Sequence, residues 1–435
     1  MSHATLTAAC LALLAAVTPA VGAEEFTFDA SEFEKKTFEF SGYLEQKEEG
    51  LKLRGDSPAY RLAYPGKAER SALLRSTTTL EVSGRLNLDP FVADARVQAS
   101  NVTDALDSTM NRPKLMEGGL RWSAGPELSV DLGKRVQRWG KGYAWSPTGF
   151  VERQKDPSDP LLAREGFEMA SVEWSKRFAG ESATGLGSIA LTGLVLPTSE
   201  HRNEDFGSKK SWNPAAKLYL LAFDTDIDLM WRSKGARPQS YGFDFSRNLT
   251  PALEIHGEWA RSIDAPRNTI SASGVGSSRE RSFNSYLLGW RYITSNEVTW
   301  IGEYYRNGSG YSEGELGDYY RFLETAMAIK APATLAAKAR QVAQSGYGRP
   351  NPGRDYFYLK ASVSEPFDWL YGAAAISAIT NLRDGSYQIT PELTYTGFKN
   401  TEIRTRMVFL EGKSRSEFGE KTLSKRLEIY AKFFF

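Results

Sequence analysis

The stretch Leu74–Leu88, LRSTTTLEVSGRLNL, indicates the fold class because its side chains alternate between two chemistries. One set of alternate positions contains leucine, valine, serine, threonine and glycine. The other set contains Arg75, Glu81 and Arg85 among further polar residues. The alternation resumes from Phe91, after the turn at Asp89-Pro90. A period of two predicts β-strands with one apolar and one polar face.

The same pattern recurs in about 18 segments, the first at 37–46 and the last at 425–435. Their connections alternate between short and long, and the long ones include 47–72, 138–166, 263–282 and 308–354. Short turns on one side and long loops on the other are typical of membrane barrels. The fold class predicted is all-β: a transmembrane antiparallel up-and-down β-barrel of about 18 strands, or 16 if a strand has been split.

Composition excludes several other classes. Cys10 is the only cysteine, and beyond residue 23 the only histidines are His201 and His256, so we expect no metal site and no cofactor. The formal net charge is +1, which gives no general attraction to nucleic acid. Beyond residue 23, no apolar run approaches the roughly 18 residues of a membrane helix.

The amino terminus predicts export. Residues 1–23 contain no Lys, Arg, Asp or Glu, include an apolar run from Ala8 to Val21, and end on small residues. They are predicted to be a signal peptide, although the start methionine is an open question. Residues 24–36 would be a periplasmic extension and 37–435 the barrel, in the outer membrane of a Gram-negative bacterium.

Outward-facing aromatic residues are expected at both ends of the strands, where membrane barrels carry aromatic girdles. The outer set comprises Trp231, Trp259 and Tyr304, and the periplasmic set comprises Trp122, Trp174, Trp290 and Trp300. A soluble β-sandwich, the alternative all-β class, would bury its tryptophans near the middle of strands instead.

The last eleven residues, KRLEIYAKFFF, place Phe433 and Phe435 on the apolar face of the final strand. This ending resembles the C-terminal signature of bacterial outer-membrane proteins. The resemblance implies recognition by the barrel-assembly machinery, with Phe433 and Phe435 as the assembly signal.

Two further features resemble the porin-like outer-membrane barrels. Length and strand number are similar to those of the porins with 16 to 18 strands. Leu132–Gly142, LGKRVQRWGKG, is similar to a glycine-arginine-tryptophan-glycine stretch at the point where a porin strand enters a long loop. The resemblance implies a channel.

The loop 138–166 is the main candidate for a constriction, with an ordinary external loop as the alternative. Irregular backbone is tolerated at membrane depth where protein or lumen water satisfies it. Basic residues of this loop and of the neighbouring strands would contact anionic or polyhydroxylated solutes. The candidates are Arg75, Arg85, Arg96, Arg121, Arg135, Arg138, Lys141, Arg153 and Lys155. For each strand residue, pairing with an acid of a neighbouring strand is the competing interpretation.

Catalysis is not expected. Glu254, His256 and Glu258 form a row facing the lumen, where the histidine would be charged by its acidic neighbours. The segment 315–346 departs from the β pattern and predicts a helical hairpin in an external loop.

The sequence therefore predicts a porin-like channel for passive passage of small hydrophilic solutes, anionic ones among them. The alternative is a narrow or plugged barrel that serves an export or lipid-handling system. Expected partners are outer-membrane lipid and lipopolysaccharide, the assembly machinery and a small-molecule solute, but no nucleic acid. The sequence leaves the oligomeric state open.

Overall fold

A computed structural model describes residues 36–435 except 107, 111–112 and 179–184. The signal peptide and most of the predicted extension 24–36 therefore lie outside the described residues. The described chain forms nineteen strands: β1 (Phe38–Leu53), β2 (Ala72–Leu88), β3 (Phe91–Asp104), β4 (Ser108–Met110), β5 (Lys114–Ala124), β6 (Leu128–Arg135), β7 (Phe167–Arg177), β8 (Leu186–Thr198), β9 (Ser211–Ala222), β10 (Thr225–Arg232), β11 (Ser240–Thr250), β12 (Leu253–Ile270), β13 (Gly276–Ile293), β14 (Thr299–Arg306), β15 (Asp355–Ser364), β16 (Gly372–Asn381), β17 (Tyr387–Phe398), β18 (Thr401–Glu411) and β19 (Leu423–Phe434).

Eighteen of these strands close a barrel, as the sequence predicts. Each pairs antiparallel with its neighbours in chain order, and β1 pairs with both β2 and β19. The three-residue β4 only extends the edge of β3, which otherwise pairs with β5. At closure Tyr43 lies opposite Glu81 on one side and Phe434 on the other. A closed ring leaves no unpaired edge.

The alternating pattern determines the two faces. Large apolar side chains such as Leu132, Leu191 and Leu288 are exposed on the outside of the barrel. Charged side chains such as Glu258 and Glu303 point inward and are buried. An apolar exterior around a polar interior is the reverse of a soluble protein and typical of a membrane barrel.

Two predicted loop boundaries are wrong, for a shared physical reason. The connection predicted at 263–282 is mostly strand, since β12 runs to Ile270 and β13 begins at Gly276. Likewise β1 continues past residue 47 to Leu53. Beyond the apolar band, the outer face of a strand no longer has to be apolar, while buried residues such as Leu51 and Leu53 pack with Tyr60 and Ile270 packs with Phe322. The ladder therefore continues after the membrane-type alternation stops.

The remaining long loops carry the helices. The short α1 (Pro58–Ala63) lies between β1 and β2, and α2 (Glu313–Ala326) and α3 (Ala333–Val342) form the predicted hairpin between β14 and β15. Ser312 and Glu315 form a capping box at the start of α2. Among the described residues, no helix is long and apolar enough to cross a membrane.

Candidate functional site: a basic cavity beside an inward-folded loop

The chain between β6 and β7 lies inside the barrel and contacts its far wall. In the ring of 18 long strands, β15 is nine strands from β6 and therefore directly opposite. Lys360 on β15 donates a hydrogen bond to the Tyr143 hydroxyl at 2.9 Å. Arg406 on β18 forms an ion pair with loop residue Asp159 at 3.1 Å. The loop predicted at 138–166 therefore crosses the lumen.

Glu258 on β12 holds the first part of this loop. Its Oε1 accepts a hydrogen bond from the Gly142 backbone N–H at 2.6 Å. Its Oε2 accepts from the backbone N–H of Thr148 at 3.0 Å and from the Thr148 hydroxyl at 2.7 Å. Glu258 is 4 % exposed, so these bonds to a carboxylate are shielded from water, where they are stronger.

Glu303 on β14 holds the next two loop residues in the same way. It accepts hydrogen bonds from the backbone N–H groups of Tyr143 and of Ala144, the latter at 2.8 Å. The His256 ring bridges Glu303 and Glu254, with Nε2 3.0 Å from Glu303 Oε1 and Nδ1 3.2 Å from Glu254 Oε1. His256 is therefore part of the loop support and is buried, whereas the sequence predicted a wet lumen row.

The sequence RWGKG is required by the tight path of the loop. Gly140 has φ +95°, and a Cβ there would lie 2.0 Å from the Ser146 hydroxyl oxygen. A Cβ on Gly142 would lie 2.2 Å from the Trp145 carbonyl oxygen. The neighbouring Trp139 is 1 % exposed and packs in a cluster with Phe150. Glycine is needed where backbone segments approach this closely.

An aromatic cluster fills the space between the loop and strands β14 and β15. The Trp145 ring stacks on Tyr305 with centroids 5.1 Å apart, and it contacts Tyr356 and Tyr358. Both tyrosines on β15 are buried beneath the loop, at 0 % and 1 % exposure. They therefore do not line an open path for a hydrophobic solute.

A cavity of about 610 Å³ remains on the other side of the loop. Six cationic side chains line it and face a single carboxylate, that of Glu254. The cations are Arg96, Arg138, Lys141, Lys155, Arg164 and Arg291. Ser246 and Asn248 add neutral hydrogen-bonding groups, and Leu161 contributes apolar surface. The lining of the cavity therefore carries more cationic than anionic side chains.

Four of these six cations are already engaged by the protein. Arg96 pairs with Glu117 at 2.8 Å, Lys141 with Asp228 at 2.9 Å, and Arg164 with Glu152 at 2.5 Å. Lys155 donates to the Gly142 carbonyl oxygen.

The other two cations are available to a solute. Arg138 and Arg291 are both exposed to the cavity. Within the described part of the chain, neither forms an ion pair within 4.0 Å, although Arg291 lies opposite Glu254 in the β12–β13 ladder and interacts electrostatically with its carboxylate.

Burial alters the charge state of two loop residues. It raises the pKa of the Glu152 carboxyl to about 7, although Arg164 and Lys155 oppose the change. It also lowers the pKa of the Lys155 ammonium group from its ordinary value. The net charge of the loop therefore depends on pH near neutrality.

The nine basic residues predicted from sequence separate into two groups. Arg96, Arg138, Lys141 and Lys155 line the cavity. The others lie elsewhere: Arg75 pairs with Asp104, Arg121 with Asp131, Arg135 with Asp94 and Asp131, Arg153 with Glu165 and Asp205, and Arg85 faces Asp94 across the β2–β3 ladder.

Sequence reasoning missed Arg164 and Arg291 as site residues. Both could have been selected from the sequence, because Arg164 lies in the predicted constriction loop and Arg291 is at an inward-facing position of β13. It also missed Glu258 and Glu303 as the residues that hold the loop.

Phe433 and Phe435, the predicted assembly signal, lie at the closure of the ring. Phe433 is on the outer face of β19 and 50 % exposed. Phe435 exchanges backbone hydrogen bonds with Gly42 of β1, at 2.9 and 3.0 Å, and its ring contacts Phe40.

Comparison with solved structures assigns the architecture. OccK5 (OpdH) of Pseudomonas aeruginosa matches with a TM-score of 0.51 at 12 % identity, over 91 % of this chain and 97 % of that chain. The chain has a porin-like barrel fold. OccK11 (OpdR) of the same species matches with a TM-score of 0.49 at 12 % identity, over 91 % of this chain and 95 % of that chain. A mutant Rhodopseudomonas blastica porin matches with a TM-score of 0.43 at 9 % identity, over 92 % of this chain and 100 % of that chain. No family model and no curated protein matches the sequence.

Proposed function

We propose that this porin-like barrel is a passive, non-catalytic channel of the Gram-negative outer membrane that favours small hydrophilic anions. The observation that carries the proposal is the cavity of about 610 Å³ beside the loop, with six cations against one carboxylate. Rings and clusters of charge select ions in water-filled pores. A solute carboxylate could bind Arg138 and Arg291 without breaking an ion pair of the protein.

Solute uptake into proteoliposomes tests the preference for anions. Gluconate, glucose and protonated glucosamine have similar size and differ in charge, so swelling rates separate selection by charge from selection by size. We expect gluconate, supplied as the potassium salt with valinomycin, to enter fastest and glucosamine slowest. Equal rates for all three would refute anion selection while leaving an open channel.

One observation favours a second candidate, a barrel too narrow for free diffusion. The loop reaches the opposite wall, and the Trp145 cluster fills part of the lumen. Such a barrel would serve as the outer-membrane component of an export or lipid-handling system. A correctly folded protein that admits none of the three solutes would support this candidate.

A further inference from the structure

His256 connects the cavity to the support of the loop. Its ring lies on the inner face of β12, is 5 % exposed and contacts two carboxylates. Glu254 lines the cavity beside the loop. Glu303 is fully buried and accepts hydrogen bonds from the backbone N–H groups of Tyr143 and Ala144. One side chain therefore lies between the acid that faces the cavity and an acid that holds the loop.

The two contacts of the ring require a hydrogen on each of its nitrogens. Nε2 lies 3.0 Å from Glu303 Oε1, and Nδ1 lies 3.2 Å from Glu254 Oε1. A carboxylate oxygen accepts a hydrogen bond, so each ring nitrogen has to donate one, and only the imidazolium form donates from both. Gly289 of β13 leaves room for the ring, since a Cβ there would lie 2.1 Å from Nε2. The geometry therefore fits a positively charged ring between two negative side chains.

The other groups that face the ring have partners elsewhere. Glu258, on the same strand, accepts hydrogen bonds from the loop with both of its oxygens. Gly289 and Ser246 lie opposite the ring in the two neighbouring strands. The former has no side chain, and the latter donates to Glu254 at 2.9 Å. Lys155 of the loop donates to a backbone carbonyl oxygen. The charge of the ring is therefore balanced by the two carboxylates that it contacts.

Arg291 is the alternative partner of Glu254. The two residues lie directly opposite each other in the β12–β13 ladder and attract each other electrostatically. Opposite residues have Cβ atoms about 4.5–5.5 Å apart, which is within reach of both side chains. In the described part of the chain they nonetheless form no ion pair with each other. Glu254 Oε1 instead contacts His256 Nδ1 at 3.2 Å and the Ser246 hydroxyl at 2.9 Å, and the Arg291 guanidinium stays open to the cavity.

We propose that His256 is a positioning residue for anion selection: its positive charge neutralises Glu254, and its Nδ1–H holds that carboxylate away from Arg291. The proposal rests on the anion channel proposed above and names the residue that keeps one of its cations available to a solute. Loss of the ring would leave Glu254 unneutralised and free to pair with Arg291. The cavity would then lose an available cation and one positive charge.

Reversal potentials in a potassium chloride gradient test this role. We expect His256→Gln to lower the anion-to-cation permeability ratio at least about threefold, because one charge at about 7 Å in water changes this ratio roughly sevenfold. His201→Gln makes the same substitution at an exposed histidine between β8 and β9 and should select ions as wild type does. Equal ratios for wild type and His256→Gln would overturn the proposal.

A double variant separates the effect on Glu254 from damage to the loop through Glu303. Glu254→Gln/His256→Gln removes one negative and one positive charge together, and it also removes the carboxylate that would pair with Arg291. We therefore expect it to restore the wild-type permeability ratio. A double variant as impaired as His256→Gln would show that the ring acts through the loop, which would overturn the proposal.

The charge of the ring can be measured without an open channel. Beyond residue 23 the chain has two histidines, His201 and His256. NMR of refolded protein with ¹⁵N-labelled histidine, assigned with His256→Gln, should show hydrogen on both ring nitrogens of His256 near neutral pH. An anion-selective channel with a neutral His256 ring would overturn this proposal alone. A folded barrel that passes no ions would overturn the proposed function as well.

Discussion

At the scale of single residues, the lumen separates structural charges from charges open to solute. Arg121 and Arg135 form ion pairs with Asp131 at 2.6 and 2.8 Å and so complete the wall. Arg138 and Arg291 face the cavity without such a partner among the described residues. In the proposed channel, the second kind of charge would set the potential that a passing ion experiences.

Replacing the two free arginines should reduce anion preference. At about 7 Å in water, each charge attracts a monovalent anion and repels a monovalent cation by roughly 0.6 kcal/mol, which together change the anion-to-cation permeability ratio roughly sevenfold. We therefore expect Arg138→Ala/Arg291→Ala to shift the reversal potential in a potassium chloride gradient towards cations. Lys176→Ala/Arg247→Ala is the charge-matched control outside the lumen. A variant as anion-selective as wild type would show that these residues do not face the path.

Glu152 should make the anion preference depend on pH. Burial raises the pKa of its carboxyl to about 7, so lowering the pH from 8 to 6 protonates it and leaves Arg164 unneutralised. The cavity gains positive charge, and anion preference should rise as the pH falls. Glu152→Gln should lose this dependence on pH while retaining a channel. A variant with the wild-type pH profile would exclude Glu152 as the titrating group.

Parity along the strands predicted which side chains point inward, but it could not predict which are paired. A pair such as Arg96 with Glu117 depends on the register of β3 and β5, including its shift near Arg96. The residues predicted from sequence therefore include Arg96, Arg138, Lys141 and Lys155, which line the cavity, and five basic residues that lie outside it. Arg291, on a strand far along the chain, was not selected.

At the scale of elements, the inward loop is the feature that narrows the lumen of the barrel. Its path is imposed by Glu258 and Glu303, which accept hydrogen bonds from the backbone N–H groups of Gly142, Ala144 and Thr148. RWGKG indicated where the chain turns. It could not show where the loop ends, because Glu303 lies 159 residues along the chain from Ala144.

Weakening this attachment should mobilise the loop. Glu258→Gln replaces a buried carboxylate acceptor by an amide, at a cost of about 2–3 kcal/mol for bonds to a charged group. We expect faster hydrogen exchange across the segment from Gly142 to Thr148, with larger and noisier conductance steps. Glu392→Gln changes an inward carboxylate on β17 that contacts Arg404 only at 4.0 Å. If both variants exchange as slowly as wild type, Glu258 does not hold the loop.

At the scale of the whole molecule, the period of two and the alternation of short and long connections predicted the closed ring and its strand number. The ends of β1, β12 and β13 that lie towards the long loops could not be predicted in this way. Beyond the apolar band, residues such as Arg267 and Asn268 remain in the ladder, although the outer face of the strand no longer has to be apolar. The sequence therefore reports the membrane-facing height of a strand better than its full length.

Closure of the ring between β1 and β19 should depend on the final residue. Phe435→Ser removes the ring that contacts Phe40 and the apolar end of the last strand. We expect a several-fold lower yield of folded barrel, measured as the heat-modifiable band on gels. Phe434→Ser makes the same chemical change at the neighbouring position of opposite parity and should be milder. Equal yields for wild type and Phe435→Ser would contradict an assembly role.

The most direct test of the central claim is the conductance of the purified, refolded protein in a planar bilayer under a potassium chloride gradient. Discrete open steps with a reversal potential on the anion side are the predicted result, because the cavity beside the loop presents six cations to one carboxylate. A folded barrel that stays silent, or one that opens with a cation preference, would contradict this account.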